Sequence, residues 1–422
     1  MLNQKKYDGY TNLLKEELIP ATGCTEPIAL AYACAIARKT LGQLPDKIDA
    51  EVSGNIIKNV KSVVVPNTGG LKGIEAACAA GTIAGKSDLL LDVISKVSDE
   101  EKKEIQDYLN LGIIHFSKLC SDQVLDIIVH AYKDGHQVDV RICTTHTNVV
   151  KIVHDGNILF EKEIETVAQK KTFKEEITVD EIWEYTNTVK LEDIETVIDR
   201  QIQCNYAIAC YGLEHEYGAN VGSTLLKQST SLKEKIKAYA ASGSDARMSG
   251  CEMPVVVNSG SGNQGMTVSV PVIVYAKEKN KTKEELYRAL VLSNLLAIHQ
   301  KAGIGRLSAF CGVVSAAIGA VCGIAYLDHQ ERKCIDHIIV NTLAMDSGIV
   351  CDGAKPSCAG KIAVSLESAI LGYQMYQNGQ QFRAGDGIVS KGVENTLKNV
   401  CKLAKDGMKE TDEEILDIMT KC

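Results

Sequence analysis

Apolar positions recur at helical spacing near the start of the chain. Residues 5–18 read as an amphipathic helix closed by Pro20. A short loop follows, Ala21-Thr22-Gly23-Cys24. Thr25 as N-cap, with Pro27 in the first turn, predicts a second helix to about residue 40. From residue 46 to about 165 the texture changes. β-branched, partly alternating runs predict strands over 48–52, 60–65, 137–143, 148–153 and 157–163. Asp155-Gly156 marks a hairpin turn. Helical spacing returns over 73–84, 87–97 and 100–111.

Residues 173–190 are charged and lead into a helix, with Thr178 and Glu181 spaced as a capping box. Beyond them the pattern is mostly helical, broken by glycine-rich turns at 218–222, 242–245 and 259–265. Residues 268–275 stay ambiguous: their β-branched side chains favour a strand, and Pro271 weakens either assignment. The run 307–327 holds 21 uncharged residues and a Gly319-x-x-x-Gly323 pattern, enough for a membrane span. Its richness in Gly, Ala and Ser suits a buried central helix of a soluble bundle at least as well. The expected fold is therefore α+β. Helices of 1–44 and 171–422 form a mainly helical catalytic domain, with a smaller α+β domain inserted at 45–170.

At 422 residues the chain is long enough for two or three domains. A net charge of -8 and the lack of a basic patch argue against a nucleic-acid partner. Aromatic residues make up only 5%, so the core is aliphatic and closely packed. Fifteen cysteines, an odd number, stand in a chain whose first residues show no apolar leader. That combination points to a reducing cytoplasm rather than a disulfide scaffold. Cys34, Cys78, Cys210, Cys322 and Cys401 lie in helical stretches and read as small core side chains.

Other cysteines carry candidate chemistry. Three thiolates can hold a [4Fe–4S] cluster and leave its fourth iron open, and Cys311, Cys351 and Cys358 are suited to that. Their spacing is neither CxxC nor that of a ferredoxin, so a structural loop or an incomplete zinc site are the competing readings. His329 and His337 flank Cys334 and offer a weaker metal pattern. Cys24 stands at a helix start, where the thiol pKa is lowered; it reads as a base or nucleophile, or as a loop cysteine packed under the helix. The string Ser259-Gly-Ser-Gly-Asn-Gln-Gly265 is either an anion-binding nest suited to a carboxylate or a surface turn. Gly260, Gly262 and Gly265 also fit GxGxxG, but the residues from Met266 to Pro271 make a poor helix start. AGTIAGKS at 80–87 falls one residue short of a phosphate loop and lies in a predicted helix. Residues 66–70 follow a predicted strand and resemble a ligand-contacting turn, and 144–148 offer His146 as a candidate substrate contact; a plain β-turn and a surface turn are the favoured readings.

ATGCTEP at 21–27, SGSGNQG at 259–265, and Cys311 followed by CDGAKPSCAGK at 351–361 together resemble the serine dehydratase alpha-chain-like superfamily. The closer similarity is to its L-cysteine desulfidase branch. The resemblance implies a [4Fe–4S] cluster and no pyridoxal phosphate, with Cys311, Cys351 and Cys358 as ligands. It implies that Cys24 is the base, and that Ser259, Ser261, Gly262, Asn263 and Gln264 hold the substrate carboxylate. The implied reaction eliminates hydrosulfide from L-cysteine, and aminoacrylate then hydrolyses to pyruvate and ammonia. L-serine dehydration by the same chemistry and a cluster-based sensor are the alternatives. The expected partner is a small amino acid, without nucleic acid or membrane, in a chain that has room for a homodimer interface. Cys422 is either part of a disordered tail or a thiol that reaches the open iron.

Overall fold

The computed structural model describes residues 2–121, 123–164, 172–305 and 308–421. Cys422 lies outside the described residues. Apolar side chains gather into two main cores. In the first, a six-stranded mixed sheet runs in the order Ile114–Lys118, Lys47–Val52, Asp126–Lys133, His136–Cys143, Val149–His154, Asn157–Glu161. The first pair is parallel and the rest are antiparallel. Both tight hairpins turn on an Asp-Gly pair at positive φ, Asp134-Gly135 and Asp155-Gly156. Inward residues Ile127, Val129, Val138 and Val140 are buried against helices Thr25–Leu41 and Ile74–Ala84. Asp126 is fully buried in the sheet and is held by the Arg141 guanidinium at 2.9 and 2.7 Å.

The second core is helical. Helix Gly312–Leu327 runs through its centre and is buried along almost all its length, packed by Gly262–Glu278, Lys283–Ile304, Arg332–Asp346 and Ser357–Gln377. Gly312–Leu327 of the uncharged run is thus a central helix, and among the described residues no helix is long and apolar enough to cross a membrane. The opening helix, Gln4–Glu17, packs Tyr10 against Phe173 and Tyr185 of this core. The fold is α+β with mainly helical content, as expected.

Several local expectations are overturned. Residues 60–65 are not a strand: helix Gly54–Val60 ends there, and only Val64 bridges to Lys72. Residues 87–97 form a short 3₁₀ turn, Ser87–Asp92, because three successive leucines stay exposed and Leu90 sits at positive φ. Residues 242–245 are not a turn but lie inside helix Leu232–Met248. Their small side chains let helix Glu195–Glu214 approach closely, and the Ser242 hydroxyl donates to Ala209 O at 2.7 Å. Residues 268–275 belong to helix Gly262–Glu278, with Pro271 inside it. That helix opens at Gly262 with Ser261 as N-cap, four residues before the poor start anticipated at Met266. The GxGxxG reading still fails, since the preceding strand Pro254–Val256 pairs antiparallel with Pro20–Thr22 in a separate two-stranded sheet.

Candidate active site

The small two-stranded sheet does the first positioning. It pairs Pro20 with Val256 and Thr22 with Pro254, and Val257 N–H donates to Ile19 O at 2.9 Å. The loop ending in Cys24 is therefore fixed beside the loop 258–261. Buried amides hold this frame. Asn205 donates to Val256 O, Gly265 O and Ser269 Oγ, and accepts from Val256 N–H at 2.7 Å. Asn258 donates to Asn294 Oδ1 at 2.9 Å, and Asn294 pairs in turn with Gln201.

A second short ladder places two of the cysteines. Phe310 bridges Val350; around that bridge Cys311 N–H donates to Ile349 O at 3.0 Å and Cys351 N–H to Ala309 O at 2.6 Å. Strand alternation puts Cys311 and Cys351 on one face of this ladder. The Cys311 thiol donates to the Cys351 sulfur. That bond lowers the Cys351 thiol well below the ordinary range, helped against burial by the Lys58 ammonium, the Gly353 N–H and the Lys301 ammonium. Cys358 sits in the first turn of helix Ser357–Gln377, with its Sγ 3.6 Å from Gly353 O. Burial raises its thiol, and it lies within the electrostatic reach of both Cys351 and Cys311.

Cys24, Cys358, Val63 and Met248 form one buried cluster, so the fourth candidate cysteine adjoins Cys358. Cys24 is itself the N-cap of helix Thr25–Leu41, where Thr25 had been expected. Its thiol is not lowered as the helix start suggested. Burial pushes it up to about 11, opposed by the Arg247 guanidinium, which also hydrogen-bonds the sulfur. Desolvation outweighs the helix terminus here.

The loop residues divide by role. Ser259 sits at positive φ with its hydroxyl on Asn258 Oδ1 at 3.0 Å. Ser261 caps its helix, accepting from Gln264 N–H. Asn263 is buried, accepting from Ser244 Oγ at 3.2 Å. The Arg247 guanidinium lies against Gly262, where a Cβ would stand 2.4 Å from its Nε. Gln264 is buried with its Oε1 unpartnered, and its amide covers Gly312, where a Cβ would meet it at 2.5 Å. The 259–265 turn is thereby joined to the helix that Cys311 caps.

Four helix N-termini thus meet in one place, those of Thr25–Leu41, Gly262–Glu278, Gly312–Leu327 and Ser357–Gln377. Each presents free N–H groups and partial positive charge, which favours anions. Arg247 is the residue that sequence reading missed. It is buried, donates to Gly23 O at 2.9 Å, and keeps an unpartnered Nε. Lys58, Lys301 and Lys361 were missed as well. Lys58 pairs with Asp412, Lys361 pairs with Asp352, and all three act on the cysteines. Burial lowers the Lys301 ammonium, with Cys351 and Cys311 opposing the shift. Nothing in local sequence pattern marks these cations, since they come from four separate helices.

Other patterns stay apart from this centre. Cys334 is buried, while His329 beside it is exposed. His136, His154 and Asp155 gather at the exposed hairpin tips, with Asp155 already bound to Gln137 N–H and the His136 ring. A polar cavity of about 630 Å³ lies between Ser53–Asn55 and the 404–417 segment, bordered by Asp412.

A family model described as serine dehydratase alpha chain matches residues 89–417. A UPF0597 protein of Desulfitobacterium hafniense is 55% identical, covering 98% of this chain and 96% of its own length. A UPF0597 protein of Finegoldia magna is 47% identical over 97% of this chain and 99% of its own. One from Treponema denticola is 42% identical over the whole chain and 99% of its own length. On the family match and these full-length similarities, the chain belongs to the serine dehydratase alpha chain family.

Proposed function

We propose that the protein is a [4Fe–4S]-dependent carbon–sulfur lyase that eliminates hydrosulfide from L-cysteine, giving pyruvate, ammonia and sulfide. The observation that carries this reading is the meeting of Cys311, Cys351 and Cys358 in one buried place, with Cys24 and Arg247 beside them. The donor set fits such a cluster. It offers three soft thiols, neighbouring lysines to balance thiolate charge, and helix N-termini on the same side. Cys311, Cys351 and Cys358 would hold the cluster, which supplies an open iron as a Lewis acid when bound.

The chain's own residues supply the rest. The substrate carboxylate suits the N–H groups of the 259–265 turn and the open edge of Arg247. Cys24 as thiolate takes the α-proton onto its sulfur. The C–H electron pair becomes the Cα–Cβ double bond, and hydrosulfide leaves from Cβ with the C–S pair. The aminoacrylate released is hydrolysed to pyruvate and ammonia. Arg247 stabilises the Cys24 thiolate against the desolvation that otherwise keeps it protonated. Burial excludes water from the base, and fixed placement lends the proton transfer its effective concentration. The fourteen described cysteines are all free, which suits a reducing cytoplasm.

L-serine dehydration by the same chemistry is the competing reading. Side-by-side kcat/KM values for L-cysteine and L-serine decide between them. Sulfide release from L-cysteine at the higher kcat/KM is the expected result, and a higher value for L-serine would reassign the substrate.

A further inference from the structure

Lysine is almost never fully buried without an anion beside it. Lys301, in the last turn of helix Lys283–Ile304, is 8% exposed, and among the described residues no carboxylate pairs with it. Its helix packs along Gly312–Leu327, the helix that Cys311 caps, and the Cys401 thiol donates to the neighbouring Gln300 O at 3.8 Å; the groups that act on its ammonium are the thiols of Cys351, Cys311 and Cys401 and a second buried lysine, Lys58. Lys58 is held by Asp412, and its backbone lies against Gly353, two residues after Cys351. Two buried ammonium groups therefore share the surroundings of these thiols. In a low-dielectric interior that placement is costly while the thiols are neutral and favourable once they carry charge.

We propose that Lys301 is the buried counter-charge of the three-cysteine centre and sets the reduction potential and air stability of the cluster held there. This rests on reading the centre as an iron–sulfur site. Net charge and burial around a cluster are among the levers that set its potential. A positive charge here favours the reduced cluster and resists oxidation. Lys301 is a positioning residue in this account: it acts on the cysteines and touches no substrate.

The test reconstitutes wild type, K301M and K301R anaerobically. It then measures the midpoint potential, the rate at which the visible cluster band is lost in air, and the melting temperature of each metal-free protein. K301M is expected to shift the potential to more negative values and to bleach several-fold faster. K301R, which keeps the charge, is expected to stay near wild type. Metal-free K301M is expected to melt no lower than wild type, because an unpaired buried ammonium has been replaced by an apolar chain of similar length. A K301M protein that matches wild type in potential and bleaching overturns the proposal alone. So does metal-free K301M melting well below wild type with K301R failing alike, since the lysine would then be a structural anchor. A wild-type protein that takes up no cluster overturns the reading of the centre and this proposal with it.

Discussion

Arg247 donates to the carbonyl oxygen of Gly23 across 2.9 Å, from a position 224 residues away in the chain. This one contact fastens the loop of Cys24 to helix Leu232–Met248 and places a guanidinium between Cys24 and the 259–265 turn. Replacing Arg247 by Met should remove both the thiolate partner and the open carboxylate donor. We expect kcat/KM for L-cysteine to fall by about a hundredfold, on the order of 2–3 kcal/mol of transition-state stabilisation. Steady-state kinetics beside a circular dichroism spectrum checks this. An R247M protein that folds and turns over like wild type contradicts it.

Gly312 follows Cys311 and lies directly under the Gln264 amide. A Cβ there would stand 2.5 Å from the amide carbon, so Gly312→Ala displaces the Gln264 side-chain amide from the helix start. A loss of about 1 kcal/mol is expected in urea unfolding, the low end of overpacking costs, because a flexible side chain gives way. Iron content after reconstitution should fall with it, because the substituted residue is next to a cysteine of the centre. Unchanged iron content would show that the contact between Gln264 and Gly312 does not govern the site.

The parts of the fold legible in sequence were those set by local pattern. The Asp155-Gly156 turn came from turn chemistry and the helix at 100–111 from helical spacing, and the structure has both, the helix as Asp99–Asn110. The strand Asp126–Lys133 was missed, although Ile127, Val129 and Ala131 alternate inward along it. Tertiary packing reversed the reading elsewhere. Gly243 and Ser244 look like a turn, yet they are small so that helices can cross closely at Ala209 and Met266. In the candidate site, the three motif strings, far apart in sequence, are brought together by the fold. The cations did not show, because Arg247 and Lys301 carry no local signature and acquire a role only when separate helices converge. The expected low thiol pKa of Cys24 failed for the same reason: burial is a property of the fold.

Asp245 yields a pH prediction. Burial raises its carboxyl from the ordinary value of 3.8 to about 6, against the N–H groups of Gly222 and Val221. Between those values the folded protein holds a proton that the unfolded chain releases. Its contribution to stability is full below about pH 4 and is lost as pH rises to 6. Asp245→Asn should therefore raise stability by about 2 kcal/mol at pH 7 and change it little at pH 4. Thermal melts at both pH values check the sign. An equal effect at the two pH values would show that the carboxyl is not raised.

Asp126 and Arg141 make a different test, within the six-stranded sheet. The carboxylate is fully buried and takes two guanidinium hydrogen bonds, at 2.9 and 2.7 Å. Arg141→Met leaves that charge without its partner. A loss of about 3–5 kcal/mol in denaturant unfolding is expected. The double variant Arg141→Met with Asp126→Leu should recover much of it. Failure of the double variant to recover would locate the loss in packing rather than in the stranded charge.

The central claim is that Cys311, Cys351 and Cys358 together hold a cluster at a lyase site. Its most direct test is anaerobic reconstitution of wild type and of the three single Ala variants, followed by iron analysis, the visible spectrum and sulfide release from L-cysteine. The account predicts about four irons and a broad band near 400 nm for wild type, with sulfide and pyruvate formed. Each single variant should lose both band and turnover. A wild-type protein that stays colourless and iron-free after reconstitution, or variants that keep the band, would contradict it.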